Sequence, residues 1–304
     1  MVGKHNFTLR KAQEKDIDQL VYLMNSQYLR KKSKDYFLWQ YFNFSYPTVL
    51  MCAFINDDLI GMFGLQKRCL ENGIKVGQAI DLLVETQWRG QGILKKLYQE
   101  ILEYCNDIDI LCAFTNFHGK QVTEKIIGGK TVSKIASLSL HTKDYQSDLD
   151  LGSLEKILQP DKIDYLHRFS YSPEIIYWRF ESHPDYQYER ILTHDDCWSI
   201  IKIFSEPLTN HKYGDIVAIH YNYHNPNNLM DLLEKSILNL RDKQAETITL
   251  WGMPHTLVYK LSQCLKFQKL EQERYFCLKV INQECGYLYD ISHWDLVQSD
   301  SEIY

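Results

Sequence analysis

The order of predicted strands and helices constrains this 304-residue chain more than any other feature. Apolar residues follow a period of two in some segments and of 3.6 in others, and the two kinds of segment alternate. Such alternation is typical of α/β layers rather than of a helix bundle or a β-sandwich. A first pass predicts a strand at 7–11, helices at 16–28 and 35–44, a hairpin at 49–55 and 59–67, a strand at 74–84, a helix at 93–104, a strand at 108–114, a helix at 120–127 and a strand at 131–140.

The same order of elements follows a second time after residue 171. Trp39-Gln40-Tyr41, with Pro47 downstream, has a counterpart in Trp178-Arg179-Phe180, with Pro184 downstream. This echo predicts a true internal repeat rather than the shared alternation of unrelated α/β units. The second pass comprises strands at 186–192, 198–204, 215–220, 247–251 and 274–281 and helices at 229–240 and 256–265.

The repeat divides the chain into four segments. We predict a first α/β domain, a connector with a helical piece interrupted at Pro160, a second domain of similar build, and a C-terminal tail that fits neither domain. The corresponding ranges are 1–141, 142–170, 171–281 and 282–304.

Composition excludes several classes of protein. Hydrophobic residues make up 45% of the chain and charged residues 24%, values typical of a folded globular protein. A net charge of −5 gives no electrostatic footprint for nucleic acid. The chain has no long apolar run and no apolar segment near its start, so we expect neither a membrane span nor a signal peptide. Eight cysteines without a Cys-x-x-Cys spacing indicate reduced thiols, no metal site and a cytoplasmic protein. We expect a monomer or a homodimer.

Glycine is scarce and unevenly placed. Nine of the 14 glycines lie between Gly61 and Gly129, which predicts that this stretch needs bare backbone. Its densest part is a strand followed by the turn Glu85–Gly92 and then a helix. A dinucleotide fingerprint would need glycine at Lys95, and a phosphate loop at 129–131 would need glycine at Glu124, so both patterns fail.

A third pattern, Gln or Arg, two residues, Gly, one residue, then Gly or Ala, is met in full by Gln87-Trp88-Arg89-Gly90-Gln91-Gly92. This segment resembles the pyrophosphate-binding loop of the GCN5-related N-acetyltransferases (GNAT family), which joins the fourth strand to the third helix. The resemblance covers residues 5–141 well and 171–281 in outline. It implies two GNAT-like domains, each a mixed, mostly antiparallel sheet flanked by helices. An ordinary glycine-rich turn is the alternative.

The resemblance also implies a binding site for coenzyme A, with acetyl-CoA as co-substrate. Backbone amides at 89–93 would surround the pyrophosphate at a helix N-terminus. Leu83 and Val84 would pair with the pantetheine arm, and Asn116 would hold the arm from the other side unless it only forms a turn. The residues expected to bind the cofactor are Leu82, Leu83, Val84, Gln87, Arg89, Gly90, Gln91, Gly92, Ile93 and Asn116.

Acyl transfer from a thioester to an amine needs a base for the amine proton. Asp81 lies in an otherwise apolar strand three residues before Val84, where burial would raise its basicity. We therefore expect Asp81 to be the base; a carboxylate paired with a Lys or Arg is the alternative, and Glu85 is a second choice.

The general acid is less well defined by the sequence. In many GNAT enzymes a tyrosine on the helix after the fifth strand takes this role. It lies four residues before the glycine that ends the helix, and Glu124 stands at this position here. His118, Glu124 or a tyrosine of the second domain could replace it. The thiolate could also leave without an acid, because its pKa is moderate.

The second domain has no counterpart of the loop, because residues 224–228 contain Pro226 and no glycine. We predict that it does not bind coenzyme A, and that His220 and His224 do not form a metal site. The expected function is transfer of an acyl group to a primary amine of a small molecule such as an amino sugar. Two alternatives are a non-catalytic acyl-CoA sensor and an aminoacyl-tRNA-dependent peptidyltransferase, and the charge disfavours the latter.

Overall fold

The structure is a computed structural model, and it describes residues 6–28, 31–43, 48–145, 166–194, 197–222 and 227–301. Most of the helical pattern expected near 154–169 and residues 223–226 lie outside the described residues. The chain forms two compact units that are interleaved in sequence. Unit 1 comprises Met1–Val132, Ser170–Asp185 and Phe276–Tyr289, and unit 2 comprises Ser133–Phe169, Tyr186–Tyr275 and Asp290–Tyr304.

Unit 1 is built on a seven-stranded sheet of order β1-β2-β3-β4-β5-β13-β6. The first four strands are antiparallel neighbours, and β5 is parallel to β4. The hairpin between β2 and β3 turns through Asn56 and Asp57, both at positive φ, as a two-residue turn requires. The strands are β1 Thr8–Lys11, β2 Thr48–Ile55, β3 Asp58–Cys69, β4 Lys75–Val84, β5 Ile110–Thr115, β6 Lys130–Lys134 and β13 Tyr275–Val280.

Helices cover both faces of this sheet. Leu20 of α1 and Phe37 of α2 pack with Leu50 and Ile80 on one face, whereas Leu97 of α3 packs on the other. The apolar spacing along each helix therefore faces the sheet. The helices are α1 Ile17–Gln27, α2 Lys34–Phe37 with a π-helical turn at Leu38–Phe42, α3 Ile93–Tyr104, α4 Phe117–Val122 with a π-helical turn at Thr123–Ile127, and α5 Pro173–Ile176 with a π-helical turn at Tyr177–Glu181.

Unit 2 is built on a six-stranded sheet of order β12-β7-β11-β10-β9-β8. As in unit 1, one parallel pair, β10 with β11, lies among antiparallel neighbours. The expected α/β class with two mixed, mostly antiparallel sheets is confirmed. The elements are β7 Ala136–His141, β8 Tyr188–His194, β9 Cys197–Ser205, β10 Lys212–His220, α6 Asn227–Asp242, β11 Thr247–Gly252, α7 Leu257–Cys264 and β12 Gln268–Leu270.

The two sheets exchange one strand each. The segment expected as a single strand at 131–140 divides at Ile135. Before Ile135 it forms β6 of the first sheet, and after Ile135 it forms β7 of the second sheet, where β7 lies between β11 and β12. Conversely, β13 lies between β5 and β6 in the first sheet. The compact units therefore differ from the continuous ranges 1–141 and 171–281 drawn from the sequence. The alternation of polar and apolar residues is interrupted only at Ser133-Lys134 and Ile135-Ala136, and so short an interruption does not predict a change of sheet.

The repeat is visible within unit 1 as a reciprocal pair of tryptophans. Trp39 Nε1 donates to the carbonyl oxygen of Trp178 at 2.8 Å, and Trp178 Nε1 donates to that of Trp39 at 3.1 Å, across 139 residues of sequence. The indole rings stack with centroids 4.7 Å apart. Ser33 and Ser172 cap the two short helices in the same way. This matching local structure supports the duplication inferred from the tryptophan-to-proline echo.

The exchanged strand makes a prediction about fragments. A fragment of residues 1–141 lacks β13, so β5 and β6 lose their shared partner and expose unpaired edges. We expect this fragment to aggregate or to lack a cooperative unfolding transition in circular dichroism. The same fragment fused through a flexible linker to residues 274–289 should regain protection from hydrogen exchange in β5. A fragment 1–141 that is monomeric and as protected in β5 as the whole chain would contradict the exchange.

Candidate active site

A β-bulge shapes the fourth strand. The pairing of β3 with β4 shifts between Met62↔Leu83 and Gly64↔Ile80, so β4 carries one extra residue there. Asp81 lies in this bulge with a φ of 44°, a left-handed conformation that Asp tolerates better than most residues. Bulges redirect side chains and interrupt pairing next to functional sites. The bulge therefore turns a carboxylate out of an otherwise apolar strand.

Burial and one hydrogen bond define the state of Asp81. Its Oδ2 accepts a hydrogen bond from the hydroxyl of Tyr41. Burial raises the pKa of the Asp81 carboxyl, and the Tyr41 hydrogen bond and the charge of Lys32 oppose this shift in part. The raised basicity expected from the sequence agrees with this direction. Asp81 thus accepts a hydrogen bond from a tyrosine, and a lysine acts on its carboxylate through charge.

Tyr41 is a residue whose contact with Asp81 the sequence analysis missed. Its ring stacks on Phe37 at a centroid distance of 5.9 Å. Gly64 on β3 leaves room for it, since a Cβ there would lie 3.3 Å from Tyr41 Cε1 and 2.7 Å from Ile80 Cγ1. Tyr41 belongs to the repeated Trp39-Gln40-Tyr41 segment, which marked it as part of the repeat but gave no sign of a partner 40 residues away.

The pairing of β4 with β5 covers only the first part of both strands. It runs from Val76↔Ile110 to Gln78↔Cys112, whereas β4 continues to Val84 and β5 to Thr115. In the described ladder, the last six residues of β4 therefore have no partner on β5. This strand gap begins beside the bulge and ends at the glycine loop, and a third extended chain could pair with β4 inside it.

The loop after β4 needs its glycines for their backbone angles. Gly90 and Gly92 both have a φ of 80°, and a Cβ on either would meet nothing within 4 Å. The space beside these two glycines is open to the phosphate that the sequence analysis expects close to the backbone. Their left-handed conformation is a second reason for glycine at both positions. Gly92 caps α3 without a side-chain hydrogen bond, so the first amides of the helix lack a capping side chain.

Two polar side chains that the sequence analysis expects to contact the cofactor form hydrogen bonds to the loop and its neighbours. Arg89 donates through Nε to the Val84 carbonyl oxygen and through Nη2 to Gln27 Oε1, both at 2.9 Å. Gln87 donates to Glu85 Oε2, also at 2.9 Å. Arg89 thus ties the loop to the end of β4 and to the last residue of α1. Gln91 and Ile93 follow in the loop and at the start of α3, where Ile93 is buried in the core.

The remaining candidates lie at the start of α4 and along it. Asn116 is the N-cap, and its Oδ1 accepts the Gly119 amide at 3.0 Å, as its turn-forming interpretation predicts. His118 is exposed and contacts the ring of Phe117. Glu124 is exposed and accepts a hydrogen bond from Thr131 Oγ1 at 2.7 Å. The structure records no contact of these three side chains with Asp81, and their catalytic or binding roles stay predictions.

The described residues were also compared with the requirements of a metal site and of a membrane-spanning helix, and they meet neither. Among the described residues, no group of three His, Cys, Asp or Glu side chains is placed to hold a metal ion. His220, the described member of the histidine pair, stacks on Trp198. None of the helices in the described ranges is both long and apolar enough to cross a membrane.

The bulged fourth strand, the strand gap and the glycine loop at the start of α3 follow one another along the chain. Residues 17–121 match the model of the Acetyltransferase (GNAT) family. The matched range includes the loop at 87–92 that carries the resemblance to this family. A search of curated proteins gives no match to the sequence.

Solved structures extend the likeness beyond this range. A GCN5-related N-acetyltransferase from Kribbella flavida has a TM-score of 0.63 at 10% identity, and the match covers 91% of this chain and 72% of that one. One from Anabaena variabilis has a TM-score of 0.65 at 13% identity, covering 91% and 74%. A glucosamine N-acetyltransferase region of a fungal multi-domain β-N-acetylglucosaminidase has a TM-score of 0.59 at 11% identity, covering 91% and 38%. At these identities the likeness establishes the fold.

The loop geometry makes a prediction about stability. Gly92→Ala forces a Cβ into the left-handed region and should lower the free energy of unfolding by about 1–2 kcal/mol. Gly92→Asn should cost less, since Asn tolerates this conformation. Both variants are compared with the wild type by thermal unfolding without ligand. Equal stability of the Ala and Asn variants would contradict a requirement for positive φ.

Proposed function

We propose that this chain transfers the acyl group of an acyl-CoA, with acetyl-CoA as the usual donor, to a primary amine of a small molecule. The observation that carries the proposal is the arrangement along β4. The strand presents the half-buried carboxylate of Asp81, then the strand gap, then the glycine loop at the start of α3. A base and a groove for an extended cofactor therefore follow each other on a single strand.

The residues of the loop fit a pyrophosphate. The first amides of α3 carry the partial positive charge of a helix N-terminus, and the space beside Gly90 and Gly92 is open. We expect Leu82 and Leu83 to offer their backbone groups to a pantetheine arm in the strand gap. We also expect the backbone of Val84 to contact the arm, beside the hydrogen bond that its carbonyl oxygen accepts from Arg89. When bound, acyl-CoA supplies the activated thioester.

The proposed chemistry is direct attack. The amine nitrogen forms a bond to the thioester carbonyl carbon, and the carbon–sulfur bond breaks. Asp81 accepts the proton that the amine loses, a step favoured by the raised pKa of its carboxyl. The sulfur leaves as a thiolate and takes a proton from solvent or from His118 or Glu124, the acids that the sequence proposed.

We propose a small-molecule amine as the acceptor. A net charge of −5 disfavours a polyanionic acceptor such as aminoacyl-tRNA. The fungal region of similar fold is a glucosamine N-acetyltransferase, which makes amino sugars the first acceptors to test. The second candidate function is an acyl-CoA sensor without turnover. It is suggested by Glu124, which stands where the family often has a tyrosine that acts as the general acid.

Asp81→Asn separates these two functions. Asn suits the left-handed position and can still accept from Tyr41, so the fold should be retained. We expect loss of coenzyme A release by at least about 100-fold, a usual size for a general base, with acetyl-CoA binding unchanged. Release is followed with a thiol reagent across a panel of amines. Binding without release for any amine in the wild type would favour the sensor.

The same substitution should change stability with pH. The folded-state pKa of Asp81 is raised, so the folded chain retains a proton that the unfolded chain loses as pH rises above the ordinary Asp value of about 3.9. The free energy of unfolding of the wild type therefore falls as pH rises from the unfolded to the folded pKa of Asp81, and it stays at the lower value above the folded pKa. Asp81→Asn should therefore unfold at a higher temperature than the wild type near pH 7, and the difference should shrink towards pH 3. A lower melting temperature for the variant at pH 7 would contradict this.

Binding of the cofactor can be tested without an acceptor. Acetyl-CoA at 100 times its Kd should stabilise the chain by about 2.7 kcal/mol in a thermal-shift titration. Gly90→Trp should abolish this shift, because an indole would fill the open space beside the loop. Gly73→Trp is the matched control, since Gly73 also has positive φ and open space but lies in the turn between β3 and β4. Equal shifts in the two variants would place the cofactor elsewhere.

A further inference from the structure

The pair formed by Tyr41 and Asp81 occurs in one pass of the repeat only. A shift of 139 residues, the spacing of the paired tryptophans, relates Tyr41 to Phe180. Counted from Gln78 and Asp215, the last paired residues of the parallel strands, Asp81 corresponds to Ala218. Counted from the bulge of each strand it corresponds to Val217, and neither residue has a carboxylate. The second pass therefore lacks both the hydroxyl and the carboxylate, as well as the glycine loop. If the Tyr41 hydroxyl served packing alone, we would not expect it to be absent from the second pass together with the carboxylate.

Tyr41 is also placed to act on Asp81 with little freedom. It lies in the π-helical turn Leu38–Phe42, stacks on Phe37, and passes over the bare backbone of Gly64. Such turns often occur at functional sites. Among the described residues, the groups that act on the Asp81 carboxyl are the Tyr41 hydroxyl and the Lys32 ammonium.

We propose that Tyr41 is a positioning residue that fixes the Asp81 carboxylate in the orientation and ionised state needed to take the proton of the acceptor amine. This inference rests on the proposed function. A hydrogen bond from Tyr41 favours the charged carboxylate, so the residue counteracts part of the effect of burial.

Tyr41→Phe tests this role, because it removes only the hydroxyl. The equivalent π-helical turn of the repeat, Tyr177–Glu181, already has Phe180 at this position. The pKa of Asp81 should rise without its donor, so the acidic limb of kcat/KM should move to higher pH by about one unit. Activity should fall about 10-fold below the limb and recover at higher pH. Tyr36→Phe, a buried tyrosine of the same helix, is the matched control. An acidic limb at the wild-type pH would overturn the proposal.

A second readout does not depend on turnover. Carbon-13 NMR of Asp-labelled protein, with Asp81→Asn to assign the signal, gives the titration midpoint of the Asp81 carboxyl directly. We expect a higher midpoint in Tyr41→Phe than in the wild type and in Tyr36→Phe. Equal midpoints would overturn the role of Tyr41 even in an active enzyme. If no amine is acylated, the proposed function fails, and the midpoint still decides whether Tyr41 controls Asp81.

An independent observation concerns the strand gap of unit 2. The pairing of β10 with β11 ends at Asp215↔Thr249, whereas β10 continues to His220 and β11 to Gly252. This is the same arrangement as in β4 and β5, and it lies in the domain that the sequence predicts not to bind coenzyme A.

The C-terminal segment 294–301 is bound at this gap. Gln298 donates to Thr249 Oγ1 on β11 at 3.0 Å, and residues 298–300 lie against β10. The Trp294 carbonyl oxygen is 2.7 Å from Nε2 of His255, just after β11. Arg168 joins the segment to the end of β10, through Asp295 at 2.6 Å and the Tyr221 carbonyl oxygen at 2.8 Å. All residues from 294 to 301 are buried.

We infer that residues 294–301 occupy, in unit 2, the strand gap that corresponds to the proposed pantetheine site of unit 1. A backbone segment thus takes the place of a cofactor, and the chain binds one coenzyme A. The buried ion pair between Arg168 and Asp295 fixes the segment, because separating the two would leave a buried charge without its partner.

Calorimetry gives the first test of this inference. We expect one acetyl-CoA molecule bound per wild-type chain and none bound to Gly90→Trp. Two molecules per wild-type chain, or one molecule still bound to Gly90→Trp, would overturn the inference. Hydrogen exchange gives a second test that needs no ligand. Amides of 294–301 should be protected in the wild type, and Asp295→Asn should speed exchange there and at 216–222, but not in β4. An unprotected segment in the wild type, or unchanged exchange in the variant, would contradict the inference.

Discussion

The pairing of β13 between β5 and β6 is the constraint on which the first sheet depends. Phe276 of β13 packs on Phe114 of β5 at a centroid distance of 5.2 Å, and Lys279 donates to Tyr98 Oη and to the Ile127 carbonyl oxygen, both at 2.7 Å. Since β5 borders the strand gap, a strand close to the end of the chain supports one wall of the candidate site. The site is therefore complete only when both passes of the repeat are present.

The chemistry that we propose depends on one strand. The bulge in β4 places Asp81 in a left-handed conformation, and the same strand then runs unpaired along the gap to Gly90 and Gly92. Burial makes the carboxylate more basic, and the Tyr41 hydroxyl keeps it ionisable. A half-buried carboxylate in a left-handed conformation lowers the stability of the fold, which is a common property of catalytic groups.

Local patterns predicted much of this structure. The helix Ile93–Tyr104, the hairpin at Asn56-Asp57 and the glycine loop follow from periodicity and turn chemistry, which are encoded within a few residues. Features that depend on distant pairing were not predictable in this way. The change of sheet at Ile135, the contact of Tyr41 with Asp81 and the burial of residues 294–301 each join segments far apart in sequence.

A crystal structure with acetyl-CoA tests the central claim most directly, namely that one face of β4 serves both cofactor and base. Our account predicts a single cofactor per chain, with its pyrophosphate at the amides of residues 90–93, its pantetheine arm between β4 and β5, and its thioester carbon beside Asp81. A cofactor bound between β10 and β11, or a thioester far from Asp81, would contradict it.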